Sequence, residues 1–89
     1  MMKTIRLDIS NIHTVRALHI YLAYMLDLPV HYGKNLDALH DVLCEESENL
    51  RIVLSGNAAS EEMAMYLPRL VCVMEDCAQE NPHVHFERN

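Results

Sequence analysis

Eighty-nine residues, 51% of them hydrophobic, make one domain with an ample core and no room for a second. Thirteen acidic against seven basic side chains leave a formal net charge of −6, which argues against nucleic-acid backbones and anionic membranes as partners, since both reward lysine and arginine. The same charge suits docking onto a basic protein, with the encounter sped by electrostatic steering.

Cys44, Cys72 and Cys77 cannot all pair, and positions five apart on a helix face different ways, so reduced thiols of a cytosolic protein are the reading. The stretch MMKTIRLDIS has no apolar export segment, and no run approaches the length of a membrane span. A cytoplasmic location is expected.

Thr4 to Ile9 alternates, with Ile5, Leu7 and Ile9 on one side and Arg6 and Asp8 on the other, as a strand does. Ser10 or Asn11 is the expected cap of a helix whose core face is Val15, Leu18, Leu22, Met25 and Leu26, with Arg16, Ala23 and Asp27 opposite. His13 and His19 read as surface or boundary residues of that helix. Leu28-Pro29 ends it, because a residue before proline avoids the helical region.

The next helix is expected from Asn35 to Glu45. Asn35 is a favoured N-cap, and Leu36, Leu39, Val42 and Leu43 recur at helical spacing. At about 100° per residue, these leucines and the valine gather on one side of the wheel. Asp37, Asp41, Glu45 and Glu48 fall within roughly 80° of one another on the other side, flanked by His40 and Cys44. Between Lys34 and Arg51 there are five carboxylates and no basic side chain, so nothing local neutralises this row.

Leu50 to Leu54 is a short apolar run closed by Ser55-Gly56-Asn57, a second strand buried on both faces or nearly so. Ser60 caps a helix through Tyr66, with Glu61 and Glu62 in the first turn where the dipole favours them. Pro68 either kinks this helix or starts a new one at the tolerated first position, and the new start is the expectation. Leu67, Leu70, Val71, Met74, Cys77 and Ala78 then form an apolar face, with Arg69, Asp76, Gln79 and Glu80 off it. Asn81-Pro82 stops the helix, and His83 to Glu87 alternates as a last strand with Val84 and Phe86 inward. Strand, two helices, strand, two helices, strand implies parallel pairing through right-handed crossovers. The fold class is α/β, a three-stranded parallel sheet with helices packed against it.

Three chemistries are open to the acidic helix. Asp37 and Asp41 could act as a general acid–base pair beside His40, but consecutive His40 and Asp41 diverge by about 100° and do not orient each other. No placed nucleophile and no glycine-rich phosphate cradle accompanies them, so the chain is not read as an enzyme. His40 and Cys44, with Asp37, Asp41 and His31 nearby, could hold a divalent ion, yet the paired Cys-x-x-Cys or His-x-x-x-His signature is lacking, and no metal is expected. The third chemistry is an acidic docking surface. Its bland counterpart is a set of solvated surface charges.

The run YGKNLDALHDVL resembles the segment of the barstar family, intracellular inhibitors of the ribonuclease barnase, that reads Tyr-Gly-Glu-Asn-Leu-Asp-Ala-Leu-Trp-Asp; eight of those ten positions match, Lys34 and His40 being the departures. The likeness is sharp from Leu28-Pro29 to Leu43 and loose elsewhere. It implies a barstar-like fold with the first strand in the centre of the sheet. It also implies that this helix and the loop before it plug a ribonuclease active site. Asp41 then stands in for a substrate phosphate, accepting charge-assisted hydrogen bonds, and Asp37 meets an arginine or neighbouring donors. Gly33 lets the loop backbone approach the enzyme, Asp76 meets a peripheral arginine, and Glu80 adds to the field. Asn35, Cys44 and Glu45 complete the expected surface. His31 stands where the family has a stacking tyrosine, His40 where it has a large aromatic, and Lys34 where it has an acid. These departures point to a related basic secreted ribonuclease, or a toxin domain of similar chemistry, as the partner. The expectation is a monomeric, cofactor-free immunity protein; the alternative is an acidic protein-interaction domain of the same fold without ribonuclease inhibition.

Overall fold

The computed structural model describes residues 2–89. In chain order its elements are β1 (Lys3–Asp8), α1 (Val15–Met25), α2 (Leu36–Cys44), β2 (Leu50–Ser55), α3 (Glu61–Glu80) and β3 (Val84–Arg88). Both strand pairings are parallel, with Ile5 opposite Ile52 and Ile52 opposite Phe86. Because side chains alternate along a strand, this register puts Ile5, Leu7, Leu50, Ile52, Leu54, Val84 and Phe86 on one face. All but Val84 belong to, or pack against, the core cluster that holds Leu18 and Leu22 of α1, Leu39 and Leu43 of α2, and Met63, Leu70 and Met74 of α3. The opposite face carries Thr4, Arg6, Arg51 and Glu87, with Arg51 and Glu87 paired across the strands.

The strand order is β1-β2-β3, so β2 is the middle strand and not β1, which the family resemblance placed there. The residues give the reason. Leu50, Ile52, Val53 and Leu54 are all buried, so β2 is apolar on both faces. β1 and β3 alternate apolar with polar side chains, which suits half-solvated edges.

Three helices are present among the described residues, not four, because α3 runs unbroken through Pro68. Proline in a helix interior removes one hydrogen bond and crowds the carbonyl four residues back. Here that carbonyl belongs to Ala64, and both Ala64 and Pro68 face solvent. On the inner side Met63, Leu67, Leu70, Met74 and Cys77 make one continuous buried stripe. That burial outweighs the local defect.

The start of α1 also differs from expectation. Thr14 is its N-cap, accepting the Ala17 N–H at 3.1 Å. Ser10, expected in that role, is engaged with Asp8, whose carboxylate accepts both its N–H at 3.0 Å and its hydroxyl at 2.5 Å. Gly56 packs against this same turn. It has φ +91°, and an added Cβ would lie 2.8 Å from the Asp8 carboxylate. Ser60 caps α3 as expected, accepting the Met63 N–H at 3.1 Å. No helix of the described residues is long and apolar enough to cross a membrane.

Candidate functional site

α2 begins and ends where its residues direct. The Asn35 side chain accepts the Ala38 N–H at 2.8 Å, and Glu45 is the C-cap. Leu39 and Leu43 are buried, and Leu36 and Val42 pack partly on the same core. Burying each leucine contributes roughly 1.5–3 kcal/mol, which decides the side of the helix that meets water. Asp37, Asp41, Glu45 and Glu48 are accordingly all exposed. Among the described residues the ion pairs are His40–Glu80 and Arg51–Glu87, and none of their cations pairs with this row.

The loop before α2 contributes to the same surface. His31 and Gly33, with Asp41 and Glu45 of α2, line one open depression of about 240 Å³. The left-handed conformation of this loop falls on Lys34, at φ 56°, and not on Gly33. What Gly33 allows is close packing, since a Cβ there would lie 3.3 Å from that of Ala38 in the first turn of α2.

Tyr32 anchors the loop. It is buried, and its hydroxyl lies 2.7 Å from His19 Nδ1, while His19 Nε2 lies 2.7 Å from the Tyr66 hydroxyl. His19 is therefore not a surface residue: it is 1% exposed and joins α1, the loop and α3. A neutral imidazole has one N–H and one bare nitrogen, so one tyrosine accepts and the other donates. Burial holds the His19 pKa below its ordinary 6.5 and pushes the Tyr32 and Tyr66 hydroxyls up. In the sequence His19 falls beside Leu18 at the edge of the apolar stripe, a position that fits core or rim equally.

Asn81 holds the other end of α2. Buried at the C-cap of α3, its side-chain NH₂ donates to the Leu43 carbonyl at 2.9 Å and the Glu46 carbonyl at 2.9 Å. Helix ends leave such carbonyls without partners. Sequence reasoning found Asn81 only as a helix stop, because the carbonyls it serves lie 35 and 38 residues away in the chain.

A seam of polarisable groups joins the last turns of α2 and α3. Glu80 Oε2 lies 3.4 Å from His40 Nε2 and accepts from the Cys44 thiol at 3.3 Å. Cys44 Sγ is 3.9 Å from Cys77 Sγ, and all three cysteines are free thiols. Burial raises the Cys44 pKa, with Glu80 adding to it, and the Cys77 thiol is pushed up to about 12, again chiefly by burial. Neither is a thiolate nucleophile at neutral pH. Of the ten residues singled out from sequence, His31, Gly33, Asp41 and Glu45 share the depression, and Asn35 and Asp37 begin the helix beside it. His40, Cys44 and Glu80 form the seam, and Asp76 stands apart on the exposed side of α3.

A search of curated proteins gives no match. A family model described as Barstar (barnase inhibitor) matches residues 2–87. That span takes in the first five elements and all of β3 but Arg88, the acidic helix and its loop included, and the chain belongs to the barstar family.

Proposed function

We propose that this chain inhibits a basic ribonuclease of the barnase type, laying α2 and the loop before it into the enzyme's active site. The observation that carries this reading is a carboxylate row exposed on one side of a helix and paired with no cation among the described residues. Such oxygens are already arranged to receive the cationic groups that hold a substrate phosphate. Asp41 sits at the loop-side depression and mimics that phosphate. Asp37 and Glu45 flank it one helical turn away on either side. His31, Gly33 and Asn35 shape the loop edge, and His40, Cys44, Asp76 and Glu80 border the helix. With His31, Lys34 and His40 in place of the family's tyrosine, acid and aromatic, the partner is a related secreted ribonuclease or toxin domain. The protein acts as one monomeric domain in the cytoplasm of the producing cell, as an immunity protein whose inhibition needs no cofactor.

The test is Asp41→Ala, assayed against a small basic ribonuclease captured on the immobilised parent. Charged hydrogen bonds contribute about 1.5–3 kcal/mol each, so losing two weakens inhibition at least about 100-fold. Inhibition equal to the parent's would remove Asp41 from the plug and the reading with it. Tight binding of a protein partner with no loss of ribonuclease activity would favour the alternative, an acidic interaction domain of the same fold.

A further inference from the structure

From the sequence, His40 and Cys44 alone make half a metal site. The fold supplies the other half, because Cys77 and Glu80, one turn apart on α3, face His40 and Cys44, one turn apart on α2. We infer that His40, Cys44, Cys77 and Glu80 form a zinc site that clamps the last turns of α2 and α3 together.

Distances carry this inference. A tetrahedral zinc ion, with Zn–S of about 2.3 Å and Zn–N or Zn–O of about 2.0–2.2 Å, sets its ligand atoms roughly 3.4–3.8 Å apart. In the structure Cys44 Sγ lies 3.9 Å from Cys77 Sγ, 3.7 Å from His40 Nε2 and 3.3 Å from Glu80 Oε2. His40 Nε2 and Glu80 Oε2 are 3.4 Å apart. These four of the six edges, all those made by Cys44 together with His40–Glu80, are already within a few tenths of an ångström of what the ion needs. The His40, Cys44 and Cys77 donor atoms all lie within 4.8 Å of one another.

The donor set selects the ion. Two sulfurs and an imidazole disfavour calcium and magnesium, which take oxygen, while zinc accepts all three donor types. Binding displaces the two thiol protons to solvent. Two thiolates, one carboxylate, a neutral imidazole and the dication then sum to one negative charge. Burial divides the labour, since Cys77 is buried at the base, Cys44 and His40 are half-buried, and Glu80 is exposed at the mouth. An ion can enter over the carboxylate without opening the core.

The experiment titrates the full chain, kept reduced by a phosphine, with zinc against a chromophoric chelator, and separately with cobalt(II). One ion per chain, a melting temperature raised by several degrees, and a cobalt spectrum with thiolate charge-transfer and tetrahedral visible bands are expected. Cys44→Ser should weaken zinc binding at least about tenfold. Glu80→Gln should weaken it less, and Cys72→Ser, on the exposed side of α3, should leave it unchanged. Cys44 is only half-buried, so its replacement keeps the fold even where Cys77→Ala does not. Absence of the charge-transfer band, or equal weakening by Cys44→Ser and Cys72→Ser, overturns the site. Neither readout involves a ribonuclease, so the result stands or falls apart from the inhibitor reading.

Discussion

The two sides of α2 are built on opposite terms. On the outer side Asp37, Asp41 and Glu45 face water and find no cation among the described residues. On the inner side, and at both ends, the groups have partners from other elements. Tyr32 and His19 hold the loop at the start, Asn81 holds the carbonyls at the end, and Leu39 and Leu43 fill the core between. No buried side-chain nitrogen or oxygen among the described residues lacks a hydrogen-bond partner. Satisfied groups fix the helix in place, and the unsatisfied row is what it has left to offer. The comparison predicts that stability and recognition separate by side, so that a change on one leaves the other's property alone.

The largest stability effect expected from a polar inner-side change is that of Asn81→Ala. It leaves the Glu46 carbonyl without its donor and takes the Asn81 amide from the Leu43 carbonyl, which keeps the Glu46 N–H at 3.3 Å, and an acceptor left without a partner costs about 1–3 kcal/mol. For a domain this small each kcal/mol lowers the melting temperature by roughly 4–8 °C. Measured well below that melting point, ribonuclease inhibition should match the parent's. A variant that melts like the parent, or inhibits far less while fully folded, would break the division of labour at this end of α2.

What was legible beforehand follows the same line. The acidic row and the burial of Leu39 and Leu43 rest on periodicity within one segment, the Asn35 cap on one residue's preference and the parallel strands on the order of the elements, all of which a sequence displays directly. The burial of Leu50–Leu54 on both faces was legible too, but the central place it implies went to β1 on the strength of the resemblance, and the structure gives it to β2. Hidden were the features made by two distant segments meeting. His19 has no buried character until Tyr32 and Tyr66 close on it, and Asn81 becomes a cap for α2 only when α3 ends beside it. Pro68 misled for the same reason: its local preference is real, but one defect on the solvent side yields to a stripe of five buried residues on the other.

A second prediction sharpens the comparison at the N-terminal end, through pH. Folded His19 has a pKa held below 6.5 by burial, whereas in the unfolded chain it titrates near its ordinary value. As pH falls below about 6.5 the unfolded chain takes up a proton that the folded one resists, so stability falls. The loss proceeds at up to about 1.4 kcal/mol per pH unit and ends at the folded pKa. Above that window the group contributes no pH dependence. Tyr32 and Tyr66 face the imidazole and Arg69 lies over the Tyr66 ring, so no carboxylate partner offsets the cost. Asp8 and Glu87, whose pKa values are lowered by Ser10 and Arg51, lose their contributions only as pH falls through the lower, carboxylate range. Urea midpoints at pH 7.5 and 5.5 measure the effect. His19→Gln, which cannot take the proton, should remove the difference; an undiminished drop in that variant would place the sensitivity elsewhere.

The smallest effects belong to the outer row, and their signs distinguish its members. Asp37 lies in the first turn of α2, where the helix dipole favours an acid. Asp37→Asn should therefore lose about 0.3–1 kcal/mol of dipole interaction against about 0.2–0.5 kcal/mol of relieved repulsion from Asp41, and melt at or slightly below the parent. Asp41 lies past that turn, one turn from both Asp37 and Glu45, so it repels like charges on either side. Removing it relieves about 0.2–0.5 kcal/mol for each pair, and Asp41→Asn should melt at or slightly above the parent. Two thermal melts at low ionic strength decide this, and added salt should shrink both differences because exposed charges are screened. A marked loss of stability in Asp41→Asn would mean that the carboxylate has a partner inside the fold. Oxygens with a partner at home are not free to take the place of a phosphate, so the same melt bears directly on whether α2 can plug an active site.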